Sequence, residues 1–266
     1  MIEAITFDFG NTLVPVPAAG LRAVVDATAI AMADRLGPFD RDEVRRIWAE
    51  ERERQFREEV PQFREVDLAQ RVVRILARLR GMPAPLVAER WDDAAASGLS
   101  AAEEAAWVVD TYSAAFVASL PPSPAAGRLL ARLARRYRLA ILSNWPLAAT
   151  IDRYADAAGW TPHLVAIVVS QRVGTIKPHP AIFDAARAAL GDPAPRPGAV
   201  LHVGDDWAAD VVGAKRAGWQ AAWLAARPDD SPLPGSERDD SVQPDVELDR
   251  LEDLEAALDV MRGARP

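Results

Sequence analysis

The sequence predicts an α/β protein in which a parallel sheet carries helices on both faces and an all-helical block follows the first strand. Beyond residue 120, short apolar runs alternate with segments of helical periodicity, which is typical of a parallel sheet with crossover helices. Between residues 21 and 120, apolar residues recur at helical spacing and no convincing strand is found. A block of about 100 helical residues is too long for one crossover connection, so it indicates a separate domain.

The predicted elements follow one another in a regular order. After an apolar strand at residues 5–7, helices are predicted over residues 21–36, 40–54, 68–79 and 100–116. The last of these is predicted to begin with a capping box, in which Ser100 and Glu103 bond each other's backbone N–H groups. Further strands are predicted at residues 137–142, 164–169, 199–203 and 219–224 and near Val246, with helices beginning near residues 124, 146, 180, 207 and 251. Residues 227–243, rich in Pro, Asp and Ser, predict a mobile surface loop.

Composition excludes several classes of protein. The 266 residues carry a formal net charge of −8, which argues against nucleic-acid binding because that function needs a basic face. The absence of cysteine excludes disulfides, thiolate metal sites and cysteine nucleophiles. No apolar run approaches the roughly 20 residues that span a bilayer, and the N-terminus lacks the pattern of a signal peptide. We therefore expect a cytoplasmic protein without a membrane or nucleic-acid partner.

Polar side chains follow several of the apolar strands, at the edge where a parallel sheet binds its ligands. Taken singly, each has an ordinary structural explanation, such as an N-cap, a turn residue or a solvated lysine. Together, and each at the end of a strand or in the loop behind it, they indicate a single site. In chain order these groups are Asp8, the Ser143–Asn144 pair, Lys177 and the Asp205–Asp206 pair.

This combination is suited to attack by a carboxylate on an electrophile. Asp8 would be the nucleophile and would form a covalent aspartyl intermediate. Ser143, Asn144 and the N–H groups of the turn after Asp8 could hold the oxygens of the transferred group, while Lys177 would neutralise charge. Converging carboxylates repel one another, so Asp205 is expected to join Asp8 around a divalent cation, for which magnesium is the economical choice.

The order and spacing of these residues resemble the haloacid dehalogenase (HAD) superfamily. Four stretches carry the resemblance, and the helical insert between the first two is similar to the C1-type cap of the first subfamily. The stretches are Phe7-Asp8-Phe9-Gly10-Asn11-Thr12, Ile141-Leu142-Ser143-Asn144, residues 174–183 around Lys177, and residues 202–214 from His202 to Ala214.

The resemblance implies a Rossmann-like catalytic core made of residues 1–15 and 121–266, and a helical cap made of residues 16–120. It also implies Mg²⁺-dependent hydrolysis of a small phosphorylated metabolite through an aspartyl-phosphate on Asp8. The roles it implies are catalysis by Asp8 and Lys177, phosphate binding by Asn11, Ser143, Asn144 and Lys177, metal binding by Asp8, Asp205 and the carbonyl of Gly10, and support of the site by Thr12, Asp206 and Asp210.

One position departs from the phosphatase pattern. The residue two after the nucleophile, an aspartate that serves those enzymes as general acid and base, is Gly10 here. Glycine has no proton to give, and general acid–base help is worth roughly 10²–10⁴ in rate. Two alternatives therefore stay open: a metal-independent 2-haloacid dehalogenase in which Asp8 attacks carbon, and a non-catalytic homologue that binds a phosphate ligand.

Substrate specificity is expected to come from polar residues of the helical block. Gln55 and Tyr112 are among the candidates because of their chemistry and position in the chain.

Overall fold

The computed structural model describes residues 1–239 and 241–263. The chain divides into two compact units, which we call the sheet unit and the helical unit. The sheet unit comprises Met1–Ala18, Phe63–Glu65 and Leu120–Pro266, and the helical unit comprises Ala19–Gln62 and Val66–Ser119. The assignment of one unit as a catalytic core and of the other as a cap stays a prediction. Asp240 of the predicted loop and the last three residues of the predicted core lie outside the described residues.

The helical unit contains the four helices that the periodicity of the first half predicts, plus one short helix over Asp93–Ser97. Asp40 caps the second helix by accepting a hydrogen bond from the N–H of Glu43. At the last helix the pairing falls one residue later than predicted, because the N–H of Ala101 donates to Glu104. The helices are α1 (Ala18–Leu36), α2 (Arg41–Glu59), α3 (Leu68–Leu79), α4 (Asp93–Ser97) and α5 (Ala102–Ser119).

Gln55 and Tyr112, predicted as candidates for substrate contact, lie in the interior of the helical unit. The Gln55 carboxamide donates to the carbonyl of Asp67 at 2.9 Å and accepts from Arg71 Nε at 2.9 Å. Tyr112 stacks on Trp48 with ring centroids 5.3 Å apart. Both side chains therefore serve the packing of α2 against α3 and α5.

The sheet unit is built on six parallel strands, which confirms the predicted α/β fold. Their order across the sheet is β3-β2-β1-β4-β5-β6. The central strand is buried on both faces, which accounts for its continuous apolar sequence. The strands are β1 (Ala4–Phe7), β2 (Arg138–Ser143), β3 (Ala166–Val169), β4 (Val200–Gly204), β5 (Gln220–Leu224) and β6 (Val246–Leu248).

Helices connect these strands in the alternation that the sequence predicts. The helix predicted from residue 207 begins instead with one π-helical segment, Trp207–Val212, before it becomes α-helical. No helix in residues 1–239 and 241–263 is both long and apolar enough to cross a membrane. The helices are α6 (Pro124–Leu133), α7 (Ala148–Ala157), α8 (Ser170–Val173), α9 (Pro180–Ala189), α10 (Gly213–Arg216) and α11 (Leu254–Gly263).

Candidate active site

The register of the three central strands brings the polar residues of the site to one edge of the sheet. Phe7 of β1 lies opposite Ile141 of β2 on one side and Val203 of β4 on the other. Asp8 therefore emerges between the carboxyl ends of β2 and β4, where a parallel sheet presents its ligand-binding groups. Its backbone N–H is fixed by a 2.8 Å hydrogen bond to the carbonyl of Val203.

The Lys177 ammonium group supplies a buried positive charge at this site. Its Nζ donates to Asp8 Oδ1 at 2.7 Å, to Asp210 Oδ1 at 2.6 Å and to the carbonyl of Leu142 at 2.9 Å. These three bonds use all three N–H donors of the ammonium group. The side chain is 2% exposed, so it holds the two carboxylates together in a nearly water-free environment.

Behind Lys177 lies a buried chain of polar groups that reaches into the strands. His202 Nε2 is 3.0 Å from Asp210 Oδ1, and His202 Nδ1 is 2.8 Å from the hydroxyl of Thr6. Because a carboxylate can only accept, Nε2–H donates to Asp210, and Nδ1 accepts from Thr6. Asp210 Oδ2 accepts from the N–H of Asp206 at 2.9 Å. Gly204 leaves room for Asp210, since a Cβ there would lie 2.1 Å from its carboxylate.

Burial and neighbouring charges shift the pKa values of Asp8, Lys177 and Asp210. Burial alone would raise the pKa of Asp210, but Lys177 and His202 hold it below its usual range. Burial raises the pKa of Asp8, and Lys177 only partly offsets this effect. The carboxylates of Asp210 and Asp8 more than compensate for the burial of Lys177 and raise its pKa. Lys177 and Asp210 therefore form the more strongly stabilised charged pair, and the charged form of Asp8 is the less stabilised of the two carboxylates.

Asp205 has a different environment. It accepts a 3.3 Å hydrogen bond from the Thr12 hydroxyl at Oδ1, and Arg227 Nη1 lies 3.4 Å from Oδ2. Burial, followed by the charges of Asp8 and Asp210, raises the pKa of Asp205 to about 8. The site thus holds more negative charge than its neighbouring side chains neutralise.

The donor set fits a divalent cation. One carboxylate oxygen from each of Asp8, Asp205 and Asp210 lies within 4.8 Å of the other two, and all three residues are buried. Carboxylate oxygens are the ligands that Mg²⁺ prefers, and a cation would relieve the repulsion that raises the pKa of Asp205. Asp210 already accepts three hydrogen bonds, so Asp8 and Asp205 have the more available oxygens.

A comparison with models of known protein families shows which family this chain belongs to. Residues 2–218 match the family model described as haloacid dehalogenase-like hydrolase. The chain belongs to the HAD-like hydrolase family. The predicted resemblance is thereby confirmed.

Two curated relatives of this HAD-like hydrolase come from Escherichia coli (strain K12). Pyrimidine 5'-nucleotidase YjjG is 28% identical over 137 residues, covering 52% of this chain and 56% of the relative. The 5-amino-6-(5-phospho-D-ribitylamino)uracil phosphatase YigB is 31% identical over 120 residues, covering 44% of this chain and 48% of the relative. The chain therefore matches about half the length of each relative.

A solved structure shares the fold over nearly the whole chain. The 2-haloacid dehalogenase from Pseudomonas syringae pv. Tomato DC3000 superposes with a TM-score of 0.66 and 21% sequence identity. The match covers 98% of this chain and 100% of that one.

Two of the residues predicted to bind phosphate are engaged within the HAD-like protein itself. Asn144 Oδ1 accepts from the backbone N–H of Lys177 at 2.7 Å, and its Nδ2 donates to the Lys177 carbonyl at 3.0 Å. Asn11 adopts a left-handed φ of 58°, which asparagine tolerates better than most residues. Its Oδ1 accepts from the N–H of Val16 at 3.1 Å, and its Nδ2 donates to the Ser231 hydroxyl at 3.0 Å.

Ser143 differs from the two asparagines. It ends β2 beside Asp8 and is buried, and its hydroxyl has no hydrogen-bond partner among the described residues. A buried hydroxyl without a partner is costly, and a hydrogen bond to a ligand atom would remove that cost. Of the four predicted phosphate-binding residues, Ser143 is the one whose side-chain donor is uncommitted.

Thr12 and Asp206 hold other elements in place. The Thr12 hydroxyl donates to Asp205. Asp206 caps the π-helical segment by accepting from the N–H of Ala209 at 2.7 Å. It also accepts from the N–H of Ser236 at 2.9 Å and from its hydroxyl at 2.8 Å.

Residues 227–236, which we call the strap, lie against the site, although the sequence predicts a mobile surface loop there. Arg227 pairs with Asp205, Ser231 bonds Asn11, and Ser236 bonds Asp206. An apolar residue of the strap, Leu233, comes so close to Gly10 that its Cδ1 would lie 2.5 Å from a Cβ at that position. The strap is a loop, as the sequence predicts, and five of its residues, 227, 228 and 231–233, are half-buried.

His202 and Arg227 were not predicted as site residues, although a feature of the sequence points to each of them. His202 interrupts the buried apolar strand β4, where a polar ring requires hydrogen-bond partners. Arg227 follows the carboxyl end of β5, the neighbour of β4 at the same edge of the sheet. The rule that located Asp8 and Asp205 would have located Arg227 had it been applied to β5.

Proposed function

We propose that this HAD-like hydrolase is a Mg²⁺-dependent phosphatase that acts on a small phosphorylated metabolite through an aspartyl-phosphate on Asp8. The observation that carries the proposal is the buried contact between Lys177 and Asp8 beside a second carboxylate, Asp205. The nucleotidase and the phosphatase among the relatives support a phosphate ester as substrate.

In the first step, Asp8 would attack phosphorus while the ester P–O bond breaks and the alcohol oxygen leaves with the bonding electrons. In the second step, water would attack the same phosphorus, releasing inorganic phosphate and restoring the carboxylate. Lys177 holds Asp8 in place at 2.7 Å and balances its charge. Ser143 would donate its hydroxyl to a phosphoryl oxygen, and Asn144 would act by fixing the backbone of Lys177.

The residues proposed to hold magnesium are Asp8, Asp205 and the carbonyl of Gly10. When bound there, the cation would supply charge stabilisation for the phosphoryl oxygens. Thr12 orients Asp205 through its hydroxyl, and Asp210 fixes Lys177.

Phosphate release from aryl phosphates and a panel of phosphorylated metabolites, measured with Mg²⁺, tests the proposal. Asp8→Asn should abolish release, whereas Asp184→Asn, at an exposed position on α9, should retain it. Release by the unaltered protein no faster than by Asp8→Asn would refute the proposal.

One observation favours the metal-independent dehalogenase as a second candidate. Arg227 already places a positive charge 3.4 Å from Asp205, which reduces the need for a metal. Halide release from a 2-haloacid in the presence of EDTA, absent in Asp8→Asn, would support that reaction. No release of halide under these conditions would exclude it.

A further inference from the structure

We infer that Arg227 competes with the divalent cation for Asp205, so that the charge of this one arginine lowers the affinity of the site for metal. The inference rests on the proposed function, because it takes Asp205 to be a metal ligand. It starts from the contact between these two side chains.

The two terminal nitrogens of Arg227 make contacts of different kinds. Nη2 donates to the carbonyl of Leu233 at 2.9 Å, which is the length of an ordinary hydrogen bond. Nη1 lies 3.4 Å from Asp205 Oδ2, beyond the usual range of about 2.7–3.2 Å. The first contact therefore fixes the strap, and the second acts on Asp205 mainly through the positive charge of the guanidinium.

The Asp205 carboxylate can bind a cation only in competition with this charge. Its side chain is 5% exposed, so water and salt screen the guanidinium weakly. Oδ1 accepts from the neutral Thr12 hydroxyl at 3.3 Å, a bond that is compatible with a bound cation because a carboxylate oxygen has more than one lone pair. Oδ2 faces Arg227 instead. Whichever oxygen binds a cation, a second positive charge already lies beside the same carboxylate.

The balance of charge in the site shows why this competition matters. Asp8, Asp205 and Asp210 bear three negative charges when all are ionised, and Lys177 and Arg227 supply two positive charges beside them. A divalent cation would leave this group with one surplus positive charge. Without Arg227, the same cation and Lys177 would balance the three carboxylates.

Other titratable groups nearby change this balance little. His202 accepts a hydrogen bond from Thr6 at Nδ1, and its ring is therefore neutral. The Asp206 carboxylate accepts from two backbone N–H groups at 2.7 and 2.9 Å, which stabilise its charge locally. Asp229 and Asp230 of the strap are exposed, so solvent screens their charges. Arg227 is thus the strap residue whose charge acts directly on the carboxylate cluster.

The strap provides a seat for the guanidinium beside Asp205. Gly235 makes room for it, because a Cβ at that position would lie 2.1 Å from Arg227 Nη1. The Arg227 side chain is nonetheless 27% exposed, so it can turn toward solvent when a cation binds. Turning away breaks its contacts with Asp205 and with the Leu233 carbonyl, and this loss lowers the net affinity for metal.

The test measures the Kd of Mg²⁺ by isothermal titration calorimetry of protein freed of metal with EDTA, at pH 8.5 and constant ionic strength. Arg227→Gln should bind Mg²⁺ at least about tenfold more tightly than the unaltered protein, a difference of about 1.4 kcal/mol. Unit charges a few ångströms apart interact by roughly this much even in water. Arg227→Lys keeps a positive charge, so its Kd should stay within about threefold of the unaltered value. Arg227→Met provides a second neutral variant.

Two controls separate the effect of charge from that of a disturbed structure. Ser231→Ala removes the strap's hydrogen bond to Asn11 but no charge. Arg132→Gln removes the same charge from a partly exposed ion pair with Glu255, between α6 and α11. Surface charges of this kind act weakly, so neither control should change the Kd of Mg²⁺ by more than about twofold.

The direction of the change decides the outcome. If Arg227 only positioned Asp205 for the metal, its neutral variants would bind Mg²⁺ more weakly. Neutral variants that bind Mg²⁺ no more tightly than the unaltered protein, or an Arg227→Lys variant that binds it as tightly as Arg227→Gln, would overturn the inference and leave the proposed function intact. No binding of Mg²⁺ by any of these proteins would overturn the proposed function and this inference with it.

Discussion

Lys177 Nζ lies 2.7 Å from Asp8 Oδ1 in a position that is almost closed to water. The same ammonium lies 2.6 Å from Asp210 Oδ1, so one cation holds two carboxylates that would otherwise repel each other. Loss of the ammonium group would leave the carboxylates of Asp8 and Asp210 close together without a neutralising charge.

Replacement of Lys177 is therefore expected to damage both properties. Lys177→Met should lower the free energy of unfolding by about 3–5 kcal/mol, the cost of leaving buried charges unpaired. Phosphate release should fall to the level of Asp8→Asn. Lys215→Met removes a half-exposed ion pair with Asp245 and should cost at most about 1 kcal/mol. Denaturant unfolding of both variants provides the comparison, and equal losses would contradict the account.

Replacement of Ser143, unlike that of Lys177, should lower activity without lowering stability. Its hydroxyl is buried and has no partner among the described residues, so Ser143→Ala should leave the free energy of unfolding unchanged or raise it by up to about 1–3 kcal/mol. The kcat/KM for phosphate esters should nevertheless fall by roughly 10²–10³, as on removal of one donor to a developing negative charge.

Ser170 supplies the matched control for this experiment. Its hydroxyl accepts from the N–H of Trp145 at 2.9 Å and bonds Glu65, so Ser170→Ala should cost about 1–3 kcal/mol. A Ser143→Ala variant that loses stability as Ser170→Ala does, with its activity intact, would contradict the role proposed for Ser143.

Thr6 is expected to fix the tautomer of His202 from within the sheet. Thr6→Val keeps the shape of the side chain but leaves His202 Nδ1 buried without its hydrogen-bond donor, at a cost of about 1–3 kcal/mol. Thr28→Val is an equally buried control whose hydroxyl bonds only the Val24 carbonyl of its own helix. Calorimetry should show the larger loss for Thr6→Val, and a larger loss for Thr28→Val would show that His202 does not depend on Thr6.

Asp205 predicts how stability depends on pH. The carboxyl titrates near 3.8 in an unfolded chain and near 8 in the folded, metal-free protein. Between these values the folded state holds a proton that the unfolded state has lost, so the contribution of Asp205 to stability falls as pH rises from about 4 to about 8. The free energy of unfolding of Asp205→Asn, relative to the unaltered protein, should therefore increase over this range in EDTA.

Magnesium should reverse this trend, because the cation replaces the proton. The rise in thermal midpoint caused by Mg²⁺ is expected to be larger at pH 8.5 than at pH 6 and to disappear in Asp205→Asn. Asp184→Asn, at an exposed position, should follow the unaltered protein. A shift that is independent of pH would show that Asp205 is not part of the metal site.

The sequence was most informative where chemistry and strand position coincide. Asp8, Ser143 and Asp205 could be located because an apolar strand ends at each of them and parallel strands present those ends at one edge. The apolar runs and helical periods likewise predicted the sheet, since they report burial directly.

The strap could not be predicted because its conformation depends on contacts far away in the chain. Its composition is that of a surface loop, and the interactions that fix it, from Arg227 to Asp205 and from Ser231 to Asn11, join residues that sequence patterns do not relate. In the structure Asn11 carries the left-handed conformation, and Gly10 makes room for Leu233.

The most direct test of the account is mass spectrometry of protein quenched in acid during turnover of acetyl phosphate with Mg²⁺. We expect one phosphoryl group on the peptide that contains Asp8, with more of it in rapidly quenched samples and none in Asp8→Asn. A phosphoryl group on another residue, or turnover with no covalent phosphoryl group at any quench time, would contradict nucleophilic attack by Asp8.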